Sequence, residues 1–315
     1  MIACTARWMM SERGPAVAVP FRPVVARSAA FLPFLAVLAL LASVLHPLTR
    51  AAAGTTPAPP SALPASCRLE IGPRHTVAGV VDAATLRLDD GSEVRLLGLL
   101  APSAPDPSAP ADAWPPEVHA RTALAELTVG RDIVLAYAGA HSDRYGRTLA
   151  HVLVERDGVS LWVEHELLAD GHARAYAPPG GTPCLAELLF AERSARQAAR
   201  GLWAGANYAP VSAYATGRLW KLRGTYQLVE GWVARIEHTR ASVTLQLTAP
   251  TRRALRAYIP LSARHRHEAA AFDTLVRRRV RIRGWLQWRN GPSLTVSDPA
   301  LVEALSAEPP KSGGE

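Results

Sequence analysis

Apolar and polar positions alternate through residues 75–102, HTVAGVVDAATLRLDDGSEVRLLGLLAP, and two turn signals divide the stretch. Asp82-Ala83-Ala84 breaks the first run. Asp90-Gly91 breaks the second, with alternation on both sides, and that dipeptide is a strong short-range hairpin signal. The pattern predicts three strands. Residues 117–128, EVHARTALAELT, switch to helical spacing, with Val118, Leu124 and Leu127 on the inner face and Gly130 as a stop. Residues 132–137, DIVLAY, read as a strand, and DRYGRTLAHVLV supplies the next turn and strand. Residues 159–169 read as a helix facing inward through Leu161, Trp162, His165 and Leu168. Residues 185–200 form an amphipathic helix closed by Gly201-Leu202-Trp203. The expected fold class is α+β, mainly β with three helices.

The pattern changes again after residue 204. Residues 205–222, with Tyr208, Tyr214 and Trp220, read as a linker. Residues 223–305 then alternate like a second, smaller β domain. Strands are expected at 227–236, with Gly231 at a bend, and at 242–247 and 257–259. A helix is expected over 264–276. The segment 280–288, VRIRGWLQW, alternates cleanly, Arg289-Asn290-Gly291 turns the chain, and 293–296 completes a hairpin. Five strands with a helix after the third, and glycines inside the first and fourth, resemble the OB-type barrel that binds nucleic acid.

The two ends are of different composition. Residues 1–53 carry an apolar run at 29–45, flanked by Arg22 and Arg27 and followed by the small residues Ala51-Ala52-Ala53. This reads as a cleaved export signal with a start at Met9 or Met10, and a periplasmic or secreted protein. The alternative is an uncleaved anchor in the inner membrane, because the run is near the lower length limit for a span. Residues 54–67 are a Pro/Ala-rich linker, the first β-rich domain occupies 68–204, and 306–315 read as a disordered tail. Cleavage leaves Cys67 and Cys184. In an exported protein the pair suggests one disulfide, with two thiols as the alternative. The histidines show no HxxxH or HExxH spacing, so no zinc site is expected.

The formal charge is +8, with arginine in excess. Such a surface suits phosphates, nucleic acid or anionic envelope polymers. Eleven arginines fall between Thr251 and Asn290, against Glu268 and Asp273. Arg277, Arg278, Arg279, Arg281 and Arg283 interleave with Trp285 and Trp288. Arginine for phosphate plus aromatics for stacking is single-strand-binding chemistry. The bland alternative is a solvated arginine face beside core tryptophans.

The layout of residues 75–204 resembles the thermonuclease (staphylococcal-nuclease-like) family, an OB-type five-stranded barrel with helices packed on it. The resemblance implies phosphodiester cleavage with one Ca2+ and two arginines. Its DGDT position reads Asp82-Ala83-Ala84-Thr85, so a metal-binding Asp is replaced by Ala84. Its DTPE position reads Leu100-Ala101-Pro102-Ser103, which replaces a metal ligand with Leu100 and the water-activating Glu with Ser103. Neither an alanine nor a leucine side chain ligates a hard cation. Arg95 in EVRLLG and Arg147 in DRYGR match the two arginines that stabilise charge on the phosphoryl group. Arg144 and Tyr145 match neighbours that touch nucleotide phosphate, and Tyr176 matches a pocket tyrosine.

These expectations frame three functions. The first is an impaired nuclease homologue, a pseudoenzyme with no cofactor, that binds nucleic acid or another polyanion. The second is an active phosphodiesterase with Ca2+ in a site rebuilt from Asp82 and a carboxylate of the proline-rich loop, Asp106 or Asp112. The third is an envelope scaffold with a basic surface.

Overall fold

Alternation in the first half of the chain resolves into a closed barrel. The computed structural model describes residues 63–64, 67–103, 114–139, 142–179, 183–248 and 254–305. The expected signal segment, most of the 54–67 linker, the carboxylates Asp106 and Asp112, and the tail lie outside the described residues. No helix among the described residues is long and apolar enough to cross a membrane.

Strands β1 (Glu70–Asp82), β2 (Thr85–Leu88) and β3 (Glu93–Leu96) form a meander, followed by the short β4 (Leu99–Leu100). Helix α1 (Pro115–Thr128) leads to β5 (Asp132–Tyr137) and β6 (Thr148–Arg156). The sheet runs β3-β2-β1-β5-β6, and parallel pairing of β3 with β6 closes it into five strands. Alternate side chains, Leu86, Leu88, Val94, Leu96 and Val152 among them, fill the interior. Burial on α1 falls on Ala120, Leu124 and Thr128, while Val118 and Leu127 are only half-buried.

The predicted helix at 159–169 is shorter than expected. Asp157 and Gly158 both have positive φ, 54° and 77°, the geometry of a tight hairpin turn. The chain therefore folds back, and β7 (Val159–Trp162) pairs with β6 before α2 (Val163–Ala169) begins. After β8 (Arg174–Ala175), which pairs with β4, helix α3 (Leu185–Gln197) packs against α2. The sulfurs of Cys67 and Cys184 are joined, with Cα atoms 5.0 Å apart, tying the start of the barrel to the head of α3.

Residues 205–222 contain elements where a linker is expected. Strand β9 (Val211–Ser212) runs parallel to the first strand of the second barrel, and α4 (Thr216–Lys221) follows. The second barrel comprises β10 (Tyr226–His238), β11 (Ser242–Leu247), β12 (Arg256–Pro260), β13 (Arg279–Trp288) and β14 (Pro292–Thr295). Its order is β10-β11-β12-β14-β13, closing on β10, with β12 and β14 parallel. Both barrels thus share one OB topology. The connection after β12 is a 3₁₀ helix, Ala263–Leu275, rather than the expected α-helix, and β15 (Val302–Ala304) adds to β13. Gly284 is fixed by crowding: a Cβ there would lie 2.4 Å from the Thr295 carbonyl oxygen.

Residues 56–315 form one compact unit with a hydrophobic core running through both barrels. Polar bonds stitch the seam. The Tyr226 hydroxyl donates to the Ala175 carbonyl at 3.3 Å, and the Ser297 hydroxyl to the Ala177 carbonyl at 2.5 Å.

Candidate phosphate-binding site

The β1–β2 turn places Asp82 at one end of a row that runs over four strands, β1, β2, β3 and β6. Asp82 pairs with Thr85, Thr85 with Arg95, and Arg95 with Leu149. The Asp82 carboxylate accepts from the Ala84 amide at 2.8 Å and the Thr85 hydroxyl at 3.0 Å. It also accepts from Arg95 Nη1 at 3.1 and 3.2 Å, and the same nitrogen donates to Thr85 Oγ1 at 3.2 Å. These bonds to Asp82 and Thr85 all come from Nη1, so the guanidinium keeps donors to spare.

Arg147 ends the turn before β6. Since Arg95 lies beside Leu149, and Arg147 is two residues before Leu149, period-two alternation puts both arginines on one face. Asp143 organises that turn. Its carboxylate accepts from the Tyr145 and Arg147 amides at 2.8 and 3.1 Å, and from Arg147 Nε and Nη2 at 2.8 and 2.7 Å. Burial alone would raise the Asp143 carboxyl, but the Arg147 and Tyr145 donors outweigh it and hold it below the usual carboxylate range.

Arg95 and Arg147 are each 26% exposed. Beside them Tyr145 is 68% exposed. The Arg144 guanidinium carbon lies 4.8 Å from the Tyr145 ring centroid and that of Arg147 5.3 Å, and Arg144 Nη2 donates to the Tyr145 hydroxyl at 2.8 Å. An exposed ring between two guanidiniums offers a stacking surface next to phosphate donors.

The metal half of the site is differently built. Ala84 is fully buried, Leu100 is half-buried on β4, and Ser103 is an exposed residue of the following loop. A Ca2+ ion takes about six to eight oxygen ligands, usually several from carboxylates. Among the described residues this turn offers one carboxylate, Asp82, already engaged by an amide, a hydroxyl and a guanidinium. The described residues do not fit the ion. One group of ligand-type side chains does come together elsewhere: His75, Asp89 and Asp90, at the β2–β3 hairpin. It is open to solvent, and Asp90 is already bonded to the Ser92 amide and hydroxyl at 2.8 and 2.6 Å.

Residues 93–205 match the family model described as staphylococcal nuclease homologue. The first barrel carries a staphylococcal-nuclease-type domain. The match includes Arg95, Arg144, Tyr145, Arg147 and Tyr176, and begins after the Asp82 turn. No curated protein matches the chain.

The remaining predicted contacts lie toward or beyond the seam. Tyr176 is half-buried and meets Tyr226 of the second barrel edge-on at 5.5 Å. Next to it Arg174 donates to the Tyr226 carbonyl and sits between the Tyr208 and Tyr226 rings at 5.1 and 5.4 Å. Burial pulls its guanidinium below the ordinary arginine value.

One of the C-terminal arginines, Arg283, is corrected by the structure, and two more are paired with carboxylates. Arg283 is fully buried at the seam, where Nη2 donates to Glu192 Oε1 of α3 at 2.6 Å and Nη1 is paired with Glu303. Arg281 is held by Glu230 at 2.6 and 2.9 Å and lies 3.5 Å from Glu303. Arg279 donates to Glu230 at 2.6 Å. Arg283 therefore binds the other barrel rather than a ligand, and Arg281 and Arg279 are committed to a carboxylate. Arg277 and Arg278 are exposed, with no ion-pair partner among the described residues. Trp285 is 40% exposed, and Trp288 packs edge-on to Trp220 at 4.8 Å. Sequence reasoning missed Glu192, Glu230 and Glu303, which absorb this charge. The faint signal was that β13 carries its arginines at every second position, while α3 places a glutamate among inward-facing apolar residues.

Proposed function

We propose that this chain is an exported polyanion-binding protein whose nuclease-type domain grips phosphate without cleaving it. One observation carries the reading. Strand register sets Arg95 and Arg147 toward one face, Arg144 and Tyr145 pack next to Arg147, and the metal positions of the family motif are a buried alanine and a leucine. Positioned guanidiniums orient phosphate and offset its charge. Hydrolysis needs in addition an activated water, and Ser103 is not a base near neutral pH. The apolar run at 29–45 supports export, with retention as an anchor as the other outcome of processing. Single-stranded nucleic acid is the preferred ligand class, because Tyr145 adds an aromatic surface to the phosphate donors.

The test is fluorescence anisotropy of a labelled single-stranded oligonucleotide with the purified protein at several salt concentrations. The logarithm of affinity should fall linearly with the logarithm of salt. Arg144→Ala and Tyr145→Ala, which leave the Asp143–Arg147 pair intact, should each weaken binding. Absence of salt-dependent binding would overturn the reading and favour a scaffold role.

A further inference from the structure

The second barrel carries two adjacent rows of side chains on its outer surface. Pairing across β10, β13, β14, β12 and β11 aligns Tyr226, Trp285, Thr295, Tyr258 and Thr244 in one row. The next row, two residues along each strand, holds Gln287, Ser293, Arg256 and Gln246. Over these positions neither row contains a carboxylate. Beyond Thr244 the first row reaches Glu237, which is paired with Arg235.

The first row is open from Trp285 to Tyr258 and closes at Tyr226, which is buried in the seam. Trp285 is 40% and Tyr258 45% exposed, with the small, exposed Thr295 between them. Two strand spacings separate the rings' backbones by roughly 10 Å. The row is continuous with the first barrel, because Tyr226 meets Trp285 at 5.8 Å on one side and Tyr176 at 5.5 Å on the other.

The second row ends at a shallow surface cleft of about 20 Å³, room for a single water. Gln246, Arg256, Arg289, Asn290 and Pro292 line it, with no acidic residue. Arg256 and Arg289 are exposed, and neither has an ion-pair partner among the described residues. In this they differ from Arg279, Arg281 and Arg283 on β13, each of which is held by a glutamate. Two guanidiniums and two amides around a carboxylate-free cleft complement a phosphodiester at the surface. Aromatic faces one row away complement bases, which stack on any ring without regard to sequence.

We propose that the second barrel binds single-stranded nucleic acid here, with bases on Trp285 and Tyr258 and a backbone phosphate held at the surface by the exposed Arg256 and Arg289 guanidiniums. The site deepens the functional reading above and rests on it. It lies on a different barrel from Arg95, Arg144 and Arg147. A strand long enough to engage both barrels gains affinity from being held twice.

The experiment compares binding of a labelled oligothymidylate, and of an abasic oligonucleotide of equal length, to the purified full chain and to four variants. Tyr258→Ala should weaken oligothymidylate binding about 5- to 150-fold, and Tyr258→Phe should restore it. The double variant Arg256→Gln/Arg289→Gln should reduce the steepness of the salt dependence. The abasic strand should bind more weakly than oligothymidylate and ignore Tyr258→Ala. Arg144→Ala serves as the first-barrel control. If Tyr258→Ala and the double variant bind like the wild type while Arg144→Ala weakens, the inference is overturned and the first-barrel reading stands. Equal binding of abasic and base-bearing strands, or their equal displacement by polyphosphate, overturns the stacking surface. Absence of binding by any strand overturns both. Thermal melts check folding, and Tyr258 and Arg256 are exposed positions whose replacement leaves the barrel interior intact.

Discussion

Single side chains in this protein are occupied by partners that the local sequence conceals. Arg283 has the composition of a ligand contact and the surroundings of a core residue. Replacing it with methionine would take a buried cation from Glu192 and Glu303, leaving Arg196 beside both. Breaking a buried pair by removing one partner costs about 3–5 kcal/mol. Urea unfolding of Arg283→Met should show a loss of that order, whereas Arg278→Met, on the exposed surface, should be nearly neutral. Asp143 gives a pH-dependent counterpart. Its carboxyl is held below its ordinary value in the folded chain. A depressed carboxyl contributes stability above its unfolded pKa, about 3.9, and loses it as pH falls through the lower folded value. The melting temperature of the wild type should therefore exceed that of Asp143→Asn near neutral pH. The gap should close below about pH 4. A gap unchanged at low pH would mean that the Arg147 pair contributes nothing through charge.

At the scale of elements, the chain was legible where one rule decides the outcome. Period-two alternation located the barrel strands, and it divided β13 correctly into Val280, Ile282 and Gly284 on one face and Arg281, Arg283 and Trp285 on the other. What covers the second face was not legible, because Glu192 lies 91 residues from Arg283 in sequence. Local pattern also failed at Asp157-Gly158, where a two-residue turn outweighed the helical spacing of residues 159–169. The same limit applied to residues 205–222, too short in each element to show a period. At the site, family likeness located Arg95 and Arg147, yet gave no hint that Asp82 and Asp143 hold them. The element that ties the first barrel together is the Cys67–Cys184 bond, which spans 117 residues. Long closed loops gain most from cross-linking, and loss of such a bond costs about 2–4 kcal/mol. Reduction under native conditions should lower the chemical-denaturation midpoint accordingly. An unchanged midpoint would remove the bond from the stability account.

The described residues form two barrels of one topology that share a core and a buried charged seam. Such a seam couples their unfolding. Scanning calorimetry should show one transition for the region from residue 56 onward, and Arg283→Met should split or broaden it. Two well-separated transitions in the wild type would contradict the coupling. The proposed function gives each barrel a part: Arg95 and Arg147 on the first, and the exposed Trp285 and Tyr258 rings on the second.

The most direct test of that account is incubation of a labelled single-stranded oligonucleotide with the purified protein, with Ca2+ in one arm and chelator in the other. Bound but intact strand in both arms, with retention that weakens as salt rises, is the predicted result. Cleavage that needs Ca2+ and disappears in Arg147→Ala would contradict the account, and would mean that a working metal site has been rebuilt around Asp82.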